Sequence, residues 1–191
     1  MTPTAPSALS GFGLTWARIA ALDLAATTGS NLVNHRRVWA RVFALASRLG
    51  DGWAWYALVA ALLIGEGAGA VAVSATMLVC GLAGSGLYKA LKQGIRRPRP
   101  CDVRRMLLTV APLDRFSFPS GHTLHAVVFS TIVTAHAPAL GWVVWPFTAL
   151  VAASRLVLGL HYPSDVLAGA ILGVGVAWAG LVAVAAAGLS L

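Results

Sequence analysis

The stretch PSDVLAGAILGVGVAWAGLVAVAAAG, residues 163–188, carries one charged side chain, Asp165, near its start and only small or apolar residues beyond it. A helix here has no polar face, whereas a core helix of a soluble protein shows one. It is long enough to cross a hydrocarbon layer of roughly 30 Å. The pattern extends outward: from Phe116 to Leu191 the only charged residues are Arg155 and Asp165, and from Gly52 to Tyr88 the only one is Glu66. The chain of 191 residues is 58% hydrophobic and 10% charged, with a mean hydropathy of +0.79, well outside the range of soluble domains. The sequence predicts an all-α integral membrane protein, a bundle of five or six transmembrane helices.

Turn signals place helices at about residues 51–65, 68–91, 120–137, 141–158 and 163–188, separated by GEGAG, a basic loop, HAPALG and GLHYPS. The first is short for a bilayer, and tilt or extension back through Leu45 lets it cross. Residues 14–33 form a weaker span, interrupted by Arg18 and Asp23 and polar over Thr27–Asn31, which either crosses or lies flat. Residues 35–49, HRRVWARVFALASRL, alternate Arg36, Arg37, Arg41 and Arg48 with Val38, Trp39, Val42, Phe43, Leu45 and Leu49 at helical spacing. This predicts an amphipathic helix, at the lipid surface or packed on the bundle. The chain thus divides into an N-terminal segment, 1–50, and a transmembrane domain, 51–191. No basic region precedes an apolar core at the N-terminus, so a cleaved signal peptide is not expected. Cys80 and Cys101 suggest neither a disulfide framework nor a metal site. Gly81, Gly84 and Gly86 predict close helix packing.

The 14 Lys and Arg residues outweigh six acids for a net charge of +8, and seven of them fall in KALKQGIRRPRPCDVRR, residues 89–105. Such a run serves nucleic acid, anionic lipid head groups or topology. Pro98 and Pro100 argue against a DNA-reading helix, and a phosphate-bearing ligand at the membrane surface fits better. No nucleic-acid or protein partner is implied.

Three spaced patterns follow. Lys92 and, after six residues, Arg99-Pro100 make KxxxxxxRP; Pro119 to His122 make PSGH; Ser154-Arg155, His161 and Asp165 make SRxxxxxHxxxD. In this order, each at a helix end, they resemble the signature of the type 2 phosphatidic acid phosphatase (PAP2) superfamily, which takes in membrane lipid phosphatases, bacterial class A acid phosphatases and vanadium haloperoxidases. The resemblance covers residues 85–170 or so, with every motif position filled. It implies a PAP2-like helical bundle, a phosphohistidine at His161, and hydrolysis by water that His122 activates.

The chemistry can also be read from the residues. A transferring phosphoryl group spreads negative charge over three oxygens, so a site without a metal or other cofactor must supply fixed cations and amide donors. Lys92, Arg99 and Arg155 suit this in kind; a lone arginine after an apolar run, as Arg155 is, is expensive at membrane depth and points to function. Ser120 reads as the N-cap of a helix and Gly121 lets a ligand approach the first-turn N–H groups. His122 follows in that turn, suited to protonate a departing alkoxide. His161 reads as the nucleophile, a neutral imidazole whose other nitrogen is held by Asp165 one turn on. His125 reads as a satisfied bundle histidine, His35 and His136 as interfacial, and Asp102 and Asp114 as charge balance for the loop. Asp23 and Glu66 have no role from sequence.

The expected function is therefore hydrolysis of a lipid phosphomonoester or terminal diphosphate, of phosphatidate, phosphatidylglycerophosphate or polyprenyl type. The alternatives are a lipid phosphotransferase at the same site, a vanadate-dependent haloperoxidase, and a lipid-binding protein with a relic site. The partners are a phosphorylated lipid and the bilayer, in a bacterial inner membrane. The motifs and residues 35–49 share one face, and the 11 cations left without Lys92, Arg99 and Arg155 lie nearly all on it. The positive-inside rule directs that face to the cytoplasm.

Overall fold

The computed structural model describes residues 9–189, and among them every regular element is helical. Helix α1 (Leu9–Asn31) leads through a 3-10 turn to α2 (Arg37–Arg48). A π-helical joint over Leu49–Trp53 connects α2 to α3 (Ala54–Glu66), and a second 3-10 turn leads to α4 (Val71–Ile95). The basic loop holds one short turn, α5 (Pro100–Val103). Then come α6 (Gly121–His136), α7 (Gly141–Val157) and α8 (Pro163–Ala186). Three helical stretches, within residues 37–103, at 138–157 and at 163–186, have the length and apolarity to cross a membrane.

Helix α6 is the hub, packed on α4, α7 and α8. Leu124, Val128, Ile132 and Val133 are buried along it, which explains how a helix of 16 residues can sit among longer ones: protein, not lipid, surrounds it. Small residues set the closest approach. A Cβ at Gly169 would lie 2.5 Å from the Ser120 carbonyl oxygen, and one at Gly173 would lie 2.7 Å from that of Leu124, so α8 reaches the backbone of α6 directly. Gly81 and Gly84 likewise receive Phe129 and Leu124, but nothing lies near Gly86, which faces outward and is not a packing residue. The Ser130 and Thr148 hydroxyls pair at 2.6 Å between α6 and α7. Trp55 fills the centre between Phe129 and Phe147, at ring separations of 5.3 and 5.4 Å. The outer surface presents Ile64, Leu82, Trp142, Ile171 and Trp178, as a lipid-facing surface should.

The N-terminal segment closes one end of the bundle. In α1, Asp23 accepts hydrogen bonds from Ser164 at the start of α8, and Asn31 donates to the carbonyls of Val157 at the end of α7 and Leu107 in the basic loop. Both contacts lie at the same end, so residues 23–31 lie against that end. Helix α2 packs on α7 through Ala40, Ala46 and Ser47 while Val38, Trp39, Val42 and Leu45 stay exposed with its arginines. It is packed on the bundle and amphipathic outward at once.

Candidate active site

Four helix ends and two loops meet at that closed end. They surround a cavity of about 650 Å³ whose lining includes Asp51, Tyr88, Lys92, Arg99, Asp114, Gly121, His122, Arg155 and His161. Six of the eight sequence-predicted site residues are therefore on one wall system; Ser120 and Asp165 stand behind it.

Each is placed by a local cause. Lys92 sits in the last turn of α4, which ends at Arg96 in a left-handed conformation (φ 52°) and turns the chain into the basic loop. Its Nζ donates to both Asp114 carboxylate oxygens, at 2.7 and 2.9 Å, and to the Phe116 carbonyl at 2.8 Å. Arg99 is held on three sides: Nε donates to the Asp114 carbonyl, Nη2 to the Asp114 carboxylate and Nη1 to the Leu160 carbonyl, at 2.9, 2.6 and 2.7 Å. Asp114 thus orients both cations. Burial works to raise its pKa, but the hydrogen bonds and charges of Lys92 and Arg99 prevail and hold it below the usual carboxylate range.

Ser120 is the N-cap of α6; its hydroxyl accepts from the Thr123 N–H and faces the Thr123 hydroxyl at 2.9 Å, not the cavity. Gly121, next along, does line the cavity. Arg155, in the last turn of α7, is almost fully buried; its Nη1 donates to the Ser47 hydroxyl of α2 and its Nε has no hydrogen-bond partner. His161 follows in the tight turn before α8, with Nε2 3.4 Å from Arg99 Nη1. Burial, then the charges of Arg155, Arg99 and Lys92, hold its pKa well below the usual histidine value.

One expected contact differs. Asp165 Oδ2 lies 3.7 Å from His161 Nδ1, beyond hydrogen-bond range, and Nδ1 has no partner. The carboxylate is engaged elsewhere: Oδ2 accepts the Tyr162 N–H at 2.9 Å, capping its own helix, and Oδ1 accepts Arg97 Nη1 at 2.7 Å. Arg97 also donates to Asp23 at 2.7 Å and stacks 3.9 Å over the Tyr162 ring. Asp23, without a role from sequence, therefore anchors Arg97 and the start of α8. Glu66 pairs with His136 at the opposite end. His125 is satisfied by the Gly121 carbonyl and Ser85, yet its ring also lines the cavity.

Sequence reasoning missed Asp51. From the α2–α3 joint its carboxylate accepts a hydrogen bond from His122 Nε2. The flanking GDG triplet signals a turn, but nothing local points it towards a histidine 71 residues away. Among the described residues no group of three His, Cys, Asp or Glu side chains is arranged to hold a metal ion.

A helical bundle with an arginine- and histidine-lined cavity at one end is an architecture suited to an anionic group. The PAP2 superfamily signature matches residues 69–188, and the chain belongs to that superfamily. It is 36% identical over 125 residues to a decaprenylphosphoryl-5-phosphoribose phosphatase of Mycolicibacterium smegmatis, covering 60% of this chain and 62% of the relative. It is 36% identical over 101 residues to phosphatidylglycerophosphatase B of Bacillus subtilis, 46% of either chain. Against the undecaprenyl-diphosphatase of Sulfolobus acidocaldarius it is 29% identical over 130 residues, 66% of this chain and 62% of that one. The chain thus spans less than two thirds of the length of each of these relatives. Among solved structures, Aquifex aeolicus LpxE superposes with a TM-score of 0.67 at 23% identity, covering 80% of this chain and 92% of LpxE. The PAP2-type phosphatidylglycerolphosphate phosphatase of Bacillus subtilis gives 0.65 at 26% identity, covering 85% and 84%.

Proposed function

We propose that this protein is an integral membrane lipid phosphatase that transfers the phosphoryl group of a lipid phosphate or diphosphate to His161 and then to water. The observation that carries the reading is the convergence of Lys92, Arg99, Arg155, His122 and His161 on one cavity. The relatives support the substrate class, since each is named for a polyprenyl or glycerolipid phosphate.

Lys92, Arg99 and Arg155 bind the three non-bridging oxygens, the two guanidinium groups as planar forks and the ammonium as a point charge. The unpartnered Arg155 Nε is a donor suited to one of them. Nε2 of neutral His161 attacks phosphorus, the bond from phosphorus to the lipid oxygen breaks, and His122 protonates that oxygen. Asp165, 3.7 Å from His161 Nδ1, stabilises the positive charge the ring acquires. Water then attacks the phosphohistidine while His122 takes its proton, and inorganic phosphate leaves. The apolar tail remains among the helices. Arg36, Arg37, Arg41, Arg48, Arg96, Arg104 and Arg105 are exposed at the site end, which by the positive-inside rule faces the cytoplasm of a bacterial inner membrane.

The test is phosphate release from a panel of phosphatidate, phosphatidylglycerophosphate and polyprenyl diphosphate by detergent-purified protein in excess chelator. Turnover that persists with chelator and stops with vanadate is expected. Activity that needs an added divalent cation overturns the mechanism, and transfer to an acceptor lipid in place of water overturns the hydrolytic assignment.

A further inference from the structure

We propose that Asp51 is the positioning partner of His122, holding the imidazole by Nε2 so that Nδ1 delivers the proton to the leaving lipid oxygen. The inference rests on the reading of His122 as the general acid. It concerns a residue outside the PAP2-matched region, which begins at residue 69.

The backbone is shaped to bring this carboxylate in. The α2–α3 joint is π-helical, and Gly52 within it has φ 132°, a conformation that L side chains rarely adopt. A Cβ at Gly50 would meet the Val151 side chain of α7 at 2.9 Å, so the joint lies tight against the bundle. Gly50, Asp51 and Gly52 all line the cavity. With its neighbours against the wall, Asp51 reaches His122 on α6.

Electrostatics gives the pairing a task. The titratable groups that line the cavity with His122 are Tyr56 from α3, Tyr88, Lys89 and Lys92 from α4, Arg99, Asp114 and Arg115 from the basic loop, Arg155 from α7, His161 before α8, and His125 on its own helix. Five are Lys or Arg, and of the two acids lining the cavity, Asp51 and Asp114, the second is already committed to Lys92 and Arg99. A general acid here must carry a proton amid positive charge, and Asp51 supplies the compensating carboxylate through a charge-assisted hydrogen bond. Proton balance follows. Imidazolium gives its Nδ1 proton to the alkoxide as the P–O bond breaks. The neutral ring keeps the Nε2 proton on Asp51, which leaves the Nδ1 lone pair to receive a proton from the water of the second step.

Leaving-group dependence separates this from a purely structural role. An alkyl lipid oxygen needs a proton to depart, whereas a nitrophenolate does not, and kcat/KM reports the first transfer alone. The experiment compares detergent-purified wild type, Asp51→Asn, Asp51→Glu and His122→Asn on a short-chain phosphatidate and on p-nitrophenyl phosphate. For Asp51→Asn we expect kcat/KM on phosphatidate to fall about 10²-fold and on the aryl ester less than about 5-fold, with Asp51→Glu recovering part of the loss. Equal falls on both substrates, or no fall on phosphatidate, overturn the proposal. His122→Asn distinguishes the two levels: if it too lacks leaving-group selectivity, the general-acid reading fails; if it shows selectivity and Asp51→Asn does not, only the role of Asp51 fails.

Discussion

His161 is buried among three cations, so its imidazole stays neutral at pH values where a free histidine charges, the form its proposed role as nucleophile requires. The same depression has a consequence for stability. The unfolded chain takes up a proton near the ordinary value of 6.5 while the folded chain does not, so folding stability falls as pH drops below that value. Thermal unfolding in detergent between pH 7 and pH 5 should show this loss, and His161→Asn should reduce it while removing about 10³-fold or more of the turnover. Arg97 is the second residue to test, because it bridges buried Asp165 and Asp23 from a position inside the first motif that the motif leaves unspecified. Arg97→Ala leaves two buried carboxylates without their cation and should cost about 3 kcal/mol of stability. Arg97→Lys should recover part of this in the same melt. If Arg97→Ala melts like the wild type, the bridge carries no stability.

At the scale of elements, α8 does two things with one surface. Its start positions Asp165 behind His161, and its glycines let α6 approach so closely that the Ser120 carbonyl oxygen lies only 2.5 Å from where a Cβ of residue 169 would be. Gly169→Ala therefore pushes directly on the turn that presents Gly121 and His122. It should lower the melting temperature by the equivalent of about 1–3 kcal/mol and reduce kcat along with it. Gly86→Ala, on the same kind of helix with open space beside it, should be neutral or stabilising by about 0.5–1 kcal/mol. The contrast is a measurement of packing rather than of glycine content. The N-terminal helices matter in the same way: Ser47 of α2 steadies Arg155, and Asp23 of α1 steadies Arg97, so both act on the site from outside the three motifs.

For the whole molecule, the site and most cations share one end, and orientation decides which membrane leaflet supplies the substrate. Cys101 lies beside Arg99 in the basic loop, while Cys80 is buried between helices. Burial, and next the Asp102 carboxylate, raise the Cys101 thiol pKa, so labelling with a membrane-impermeant maleimide should be run above about pH 8. With the site facing the cytoplasm, Cys101 should react only after permeabilisation; labelling in intact cells reverses the orientation. Both outcomes are read against a Cys101→Ser control.

The helices and their order were legible because bilayer-spanning segments must be apolar over their length, and turns between them must be short and marked. The three motifs were legible because each is local, a few residues around one helix end. Sequence alone determined the all-α membrane bundle and its family, and it singled out the residues proposed above to carry phosphate chemistry. The tertiary structure decided how those residues are held, since contacts between distant segments leave no periodic trace. Asp51 meets His122 across 71 residues, Arg97 meets Asp23 across 74, and Ser164 meets Asp23 across 141. It also separated Asp165 from His161 Nδ1, because a carboxylate one turn away has the right spacing but was drawn to its own helix cap and to Arg97. Spacing places residues on a face; competition among partners decides which hydrogen bond forms.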